Sequence, residues 1–229
     1  MTNLATTISN LHNEKPIESK RVGVLLCIPL TRERYEKETR KPNFLIKLFA
    51  REKEFAHEQL EVWNWQQYEE GTVLPVFKNL LDIRENSSAS VIPDVTFGDF
   101  KKIFRTRAFD VLFLVAHHII PESQTKIDSY NLNSKIEFAN GGYSLAEIHD
   151  FLASLDGDHK ISLIYMICES EDLKEVSYNK SNVVKSVASA FWKIPLVEGI
   201  AFVKCWIEFL SGENTLSEAY DLAIELYIR

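Results

Sequence analysis

Three stretches of the chain are apolar almost without interruption. Residues 21–30 read RVGVLLCIPL, residues 108–118 read AFDVLFLVAHH and residues 159–168 read HKISLIYMIC. A strand with one wet face alternates apolar and polar positions, so unbroken runs predict strands buried on both faces. Between them the period lengthens toward that of a helix. Thr96-x-x-Asp99, Ser144-x-x-Glu147 and Thr215-x-x-Glu218 each have the form of a capping box and predict three helix starts. Pro195 predicts a fourth helix over LVEGIAFVKCWIEFL, stopped at Ser211-Gly212. Its stripe of Phe202, Trp206, Phe209 and Leu210 reads as core. Strands buried on both faces, alternating with helices, predict a mostly parallel α/β sheet with helices on either side.

Weaker signals fill the remainder. Residues 135–140 (KIEFAN) predict a short strand ending at a Gly141-Gly142 turn, and residues 183–192 predict helix passing into strand. Residues 1–20 are polar and read as a loose lead. Residues 31–43 and 169–181 read as solvated loops, and the turn-rich residues 83–94 as a mobile loop. Residues 44–65 carry apolar side chains, from Phe44 to Trp65, at mainly helical spacing. Trp63, Trp65 and Tyr68 are expected in a packed insertion or at a docking face. The expected organisation is a lead over 1–20 and one domain over 21–229, with a divergent insertion at about 31–95.

Composition narrows the function classes. The 229 residues carry a net charge of −7, which disfavours binding to nucleic acid through phosphates. The first twenty residues lack the apolar core of a signal peptide, and no run is long enough to span a membrane. The three cysteines are too few and too scattered for a disulfide framework or a zinc site. A cytoplasmic protein with no cofactor and no metal is expected.

The candidate chemistry sits at strand ends. One buried strand ends in His117-His118 and another in Cys168. In open α/β sheets ligands gather outside the carboxyl ends of the strands. Parallel neighbours would therefore present an imidazole and a thiol at one edge, the pairing that nucleophilic catalysis uses. Taken singly, a cysteine or histidine at a strand end is more often a satisfied structural group. Cys27 and Cys205 lie inside apolar runs and read as core, while His149 and His159 read as surface.

The ordered motifs resemble the CHAT domain, a branch of the caspase-like cysteine peptidases. The likeness runs over residues 109–226. It comprises Val111-Leu-Phe-Leu-Val-Ala-His117-His118, then Phe138-Ala-Asn-Gly-Gly-Tyr-Ser-Leu-Ala-Glu-Ile148, then Ile164-Tyr-Met-Ile-Cys168-Glu-Ser170. After these come Trp192-Lys-Ile-Pro195 and the stretch from Phe209 to Ala223. His117 precedes Cys168 by 51 residues, close to the spacing of about 50 in caspases.

The resemblance implies a caspase-like three-layer αβα sandwich and a cysteine endopeptidase. Cys168 would be the nucleophile and His117 the general acid/base. The backbone N–H groups of Cys168 and His118 would form the oxyanion hole. It also implies a protein substrate, and in bacteria a stress or immune module switched by an activating partner. Met166, two residues before the nucleophile, would line the specificity pocket without charge. Arg32 and Arg34 would favour an acidic P1 residue, or be a solvated charge run. Glu169, Glu171 and Asp172 would favour a basic one, or only solvate a loop. His118 stands where the family has glycine. That departure supports the alternative of a catalytically inactive binding or scaffold module. A flavodoxin-like ligand binder is disfavoured, because no phosphate-binding signature follows a strand.

Overall fold

The computed structural model describes residues 6–9, 21–28, 66–119, 134–158, 160–166, 183–190, 196–211 and 214–228. Its main sheet has six strands. They are β1 (Thr6–Ser9), β2 (Val22–Leu26), β3 (Ser90–Ile92), β4 (Val111–Val115), β8 (Ile161–Met166) and β9 (Val184–Ala190). They are ordered β1-β9-β8-β4-β2-β3. All neighbours are parallel except β1 against β9. A second, antiparallel sheet joins β5 (His117–Ile119), β6 (Lys135–Phe138) and β7 (Gly141–Ser144). Among the described residues, five α-helices complete the fold: α1 (Leu74–Asn86), α2 (Phe97–Thr106), α3 (Leu145–Ala153), α4 (Leu196–Leu210) and α5 (Leu216–Ile228). A π-type turn over Glu69–Val73 leads into α1.

The two faces of the central strands fill two separate cores. Val22, Val24 and Leu26 of β2, with Phe113 and Val115 of β4, face α1, α4 and α5. Leu25 and Cys27, with Leu112 and Leu114, face α2, α3 and the small sheet. β2 and β4 are buried at every position, which is why their sequences do not alternate. The chain moves from β2 to β3 with α1 on one face. It then reverses direction to β4 and β8, with α2 and α3 on the other. Crossovers of one hand require that exchange of faces. The architecture is the expected helix–sheet–helix sandwich around a mostly parallel sheet.

Local chemistry fixes the helix starts. In α2 the Thr96 hydroxyl accepts from the Asp99 N–H at 3.1 Å, and Asp99 accepts from the Thr96 N–H at 3.1 Å. Ser144 with Glu147 and Thr215 with Glu218 repeat the exchange at α3 and α5. All three predicted capping boxes are formed. The helices are tied together elsewhere: Trp206 Nε1 of α4 donates to the Leu216 carbonyl of α5 at 3.1 Å, and Lys204 meets Asp82 of α1 at 2.8 Å.

Several expectations are corrected. Residues 1–20 are not wholly a loose lead, because Thr6–Ser9 adds an antiparallel edge strand to β9. Its TTIS sequence is β-branched and suits a pleated edge. Residues 83–94 are not one loop: Ile83 to Asn86 finish α1, and Ser90–Ile92 pairs with β2 at the other edge. A strand of three residues, entered through serines, leaves almost no periodic signal. The glycines after β6 do not form its turn. Ala139 and Asn140 do, and Gly141 opens β7 at φ +131°. Asn140 holds that turn by accepting from the Phe97 N–H at 2.9 Å. Residues 184–190 are strand, with no helical part. The expectations for residues 31–43, 44–65 and 169–181, including Trp63 and Trp65, lie outside the described residues. Tyr68 lies in the helical turn before α1.

Two predictions follow from this packing. A Cβ on Gly23 would stand 2.9 Å from Leu112 and 3.0 Å from Phe109, whereas at Gly71 it would meet nothing within 4 Å. Gly23→Ala is expected to lose ~1–3 kcal/mol through overpacking. Gly71→Ala, in a helical turn, is expected to gain up to ~1 kcal/mol. Urea midpoints at constant m-value test both.

The Thr96 hydroxyl, and then its N–H, hold the Asp99 carboxyl below the usual range. A lowered folded value stabilises above the unfolded value and is lost as pH falls through the folded one. Thr96→Ala should cost ~1 kcal/mol at neutral pH. The difference should shrink below about pH 4, as read by denaturation at each pH.

Candidate active site at the carboxyl edge of the sheet

The register of β4 decides what meets at this edge. Val115 pairs with Leu26 on one side and with Met166 on the other. The three strands run parallel and finish level. The strand order reverses between β2 and β4, so the topological switch point opens beside the end of β4. Ala116 is buried there and His117 follows it, exposed to solvent. The thiol of Cys27, at the end of β2, is fully buried, and its N–H donates to the Val115 carbonyl at 2.8 Å.

His117 is held by the small sheet. It opens β5 and faces Glu137 of β6, which in turn faces Gly142 of β7. Directly opposite residues share a face of an antiparallel pair, with Cβ atoms about 4.5–5.5 Å apart. One face of β6 carries Lys135 and Glu137, and the other carries the buried Ile136 and Phe138. His117 belongs with the polar face. His118 pairs with Ile136. Glu137 was not singled out from the sequence, and Gly142 only as part of a turn. The alternation in KIEF was the signal that could have found Glu137. The glycine opposite it leaves that flank of the carboxylate without a side chain.

Of the other predicted site residues, Met166 is placed at the last ladder position of β8, half-buried beside Val115. Cys168, Arg32, Arg34, Glu169, Glu171, Asp172 and His159 lie outside the described residues. The structure thus brings the end of β4, from which the chain runs on into His117, level with the end of β8 at Met166, and Cys168 stands two residues further along the chain. His149 was expected at the surface and is instead largely enclosed. Its side chain is 17% exposed, with Nδ1 3.4 Å from Asp150 Oδ1, and its Nε2 is buried without a hydrogen-bond partner. The residues beside it in α3, Ile148, Phe151 and Leu152, pack on the core, and its turn of the helix is drawn down with them.

An exposed imidazole at a switch point can exchange protons with a bound group, which is the capacity required of a general acid/base. Among the described residues, no group of three His, Cys, Asp or Glu side chains is placed to hold a metal ion. No helix among them is long and apolar enough to cross a membrane. No protein-family model and no curated protein matches the chain.

The two described thiols have distinct environments. Cys27 is fully buried, and burial pushes the half-buried Cys205 thiol up from its ordinary value. Thiolate is the reactive form. Iodoacetamide at neutral pH should leave Cys27 unmodified in the native protein and label Cys205 slowly. Peptide mapping before and after denaturation checks this, and rapid native labelling of Cys27 would contradict its burial.

Proposed function

We propose that the chain is a caspase-like cysteine endopeptidase of the CHAT type, cleaving a protein substrate through His117 and Cys168. The observation that carries the reading is the parallel register of Val115 with Met166. His117 lies two residues beyond the first and Cys168 two residues beyond the second. Equal offsets from a registered pair favour emergence at one edge.

In the proposed reaction the Cys168 thiolate attacks the scissile carbonyl carbon. The resulting oxyanion takes hydrogen bonds from the backbone N–H groups of Cys168 and His118. His117, as imidazolium, protonates the leaving amine as the C–N bond breaks, leaving a thioester. Neutral His117 then takes a proton from water, whose oxygen attacks the thioester. The acid product departs and the thiol is restored. Met166 contributes an uncharged wall to the P1 pocket, where Arg32 and Arg34 would favour an acidic P1 side chain and Glu169, Glu171 and Asp172 a basic one. The protein works in the bacterial cytoplasm within a stress or immune module, without a cofactor, and is switched by a partner protein.

The second reading is a catalytically inactive scaffold. It draws on the pairing of His118 with Ile136, where a flexible glycine would be expected beside a catalytic histidine.

A peptide bearing a thiol-directed electrophile separates the two. The peptidase reading expects selective modification of Cys168, slowed by at least ~10²-fold in His117→Ala, and no cleavage of a peptide library by Cys168→Ala. Modification of Cys168 no faster than that of Cys205, and unchanged in His117→Ala, favours the scaffold. His118→Gly tests the departure from the family directly. It should raise kcat/KM if the histidine narrows the site, and should leave a scaffold as inert as before.

A further inference from the structure

Helix α1 is apolar on two sides. Val76, Leu80 and Ile83 are buried in the core at 4% exposure or less. Leu74, Phe77 and Leu81 stand 56%, 48% and 53% exposed. Spacings of three and four residues align the second set in one stripe along the helix. Packing on the sheet uses one face of the helix and leaves the second unexplained.

We propose that the Leu74–Phe77–Leu81 stripe is the docking surface for residues 44–65 of this same chain. The first argument is where that chain begins and ends. Thirty-seven residues, 29–65, separate Ile28 at the carboxyl end of β2 from Gln66, where the helical run into α1 begins. Only residues 87–89 link α1 to β3, whose Ser90 lies beside Gly23 near the amino end of β2. α1 therefore runs back along the strands, and its Leu74 end lies toward the edge that residue 29 leaves. Strand-to-helix connections in such units commonly take about 2–6 residues. The surplus is far more chain than the connection needs and is long enough to reach back over the stripe.

The second argument is composition. Residues 31–43 are polar and densely charged, whereas Phe44, Leu45, Leu48 and Phe49 begin an apolar stretch at mainly helical spacing. The apolar half is the half tethered to α1. The third argument is area. Three half-exposed side chains offer on the order of a few hundred Å². A stable interface between free molecules takes roughly 800 Å² from each partner. A segment tethered in the same chain acts at an effective concentration of about millimolar order. A patch too small to hold a second molecule suffices for it. The proposal is independent of the peptidase reading.

Limited trypsin digestion of the full chain tests it, because the segment offers Lys47, Arg51 and Lys53. Phe77→Glu with Leu81→Glu should raise the cutting rate at these sites at least tenfold, without altering the circular dichroism of the protein. Leu48→Glu with Phe49→Glu should produce the same rise, and the two pairs combined should add little more. The segment-side pair carries the test should the α1 pair disturb folding. Equal cutting rates in wild type and in both pairs would overturn the proposal. So would a wild-type dimer in sedimentation that the α1 pair converts to monomer, since the stripe would then belong to a second copy.

Discussion

The hydrogen-bonded ladder of β4 is the constraint on which the rest of the molecule depends. Val111–Val115 pairs with β2 on one side and β8 on the other, with both faces buried. No water reaches such a strand, so its backbone groups must be satisfied by those neighbours. Slipping the register by one residue would exchange its faces. Phe113, edge-on to Trp206 at 5.3 Å, would then turn toward the phenylalanines of α2. The contacts that forbid the slip are apolar and lie below the edge, yet they determine which residue of β4 emerges at it. The position of His117 is thus set by packing against α4 as much as by its own strand.

What the sequence makes legible follows the range of the interactions involved. A capping box is closed within four residues, and all three were readable. Burial on both faces was equally readable, because it is written as an uninterrupted apolar run. Strand order was not, since it rests on contacts between distant segments. The short strands were obscured for local reasons. β3 is three residues long, and β7 begins with glycines that also suit a turn. In β9 the small residues Ser186, Ala188 and Ala190 blur the period that separates helix from strand. Thr6 to Ser9 carries strand-like residues, but its order comes from β9, far away in sequence.

The site divides in the same way. The sequence pointed to His117 in preference to His118 through its place in a motif. The hairpin supplies a separate physical reason. Alternation along β5 and β6 sets His117 with Glu137 on the polar face, exposed, while His118 is paired with the buried Ile136. Met166 was expected near the end of its strand and is there. Nothing comparable is available for Arg32 and Arg34, whose suggested role rested on following the first strand. That position gives adjacency along the chain and no register.

The distribution of connections bears on function independently of any motif. At the amino edge of the sheet the links from helix to strand are short: residues 87–89 lead from α1 to β3, and residues 107–110 lead from α2 to β4. Asp110 closes that edge by accepting from the N–H and the guanidinium of Arg21 at 2.9–3.2 Å. The three longest connections leave from the carboxyl side, whereas residues 10–21, which join the antiparallel β1 to β2, are the exception at the amino edge. Residues 29–65 follow β2, residues 120–133 follow β5 and residues 167–182 follow β8. Stability alone gives no reason for this asymmetry, since a long connection adds ordering entropy at either edge. Residues that bind or react are disproportionately carried on loops held by a rigid scaffold, and in parallel sheets those loops follow the carboxyl ends. The chain has placed its tight turns where the fold must be closed and its surplus length where His117 emerges. That allocation supports the proposal that the carboxyl edge is the working end, under either reading proposed for it.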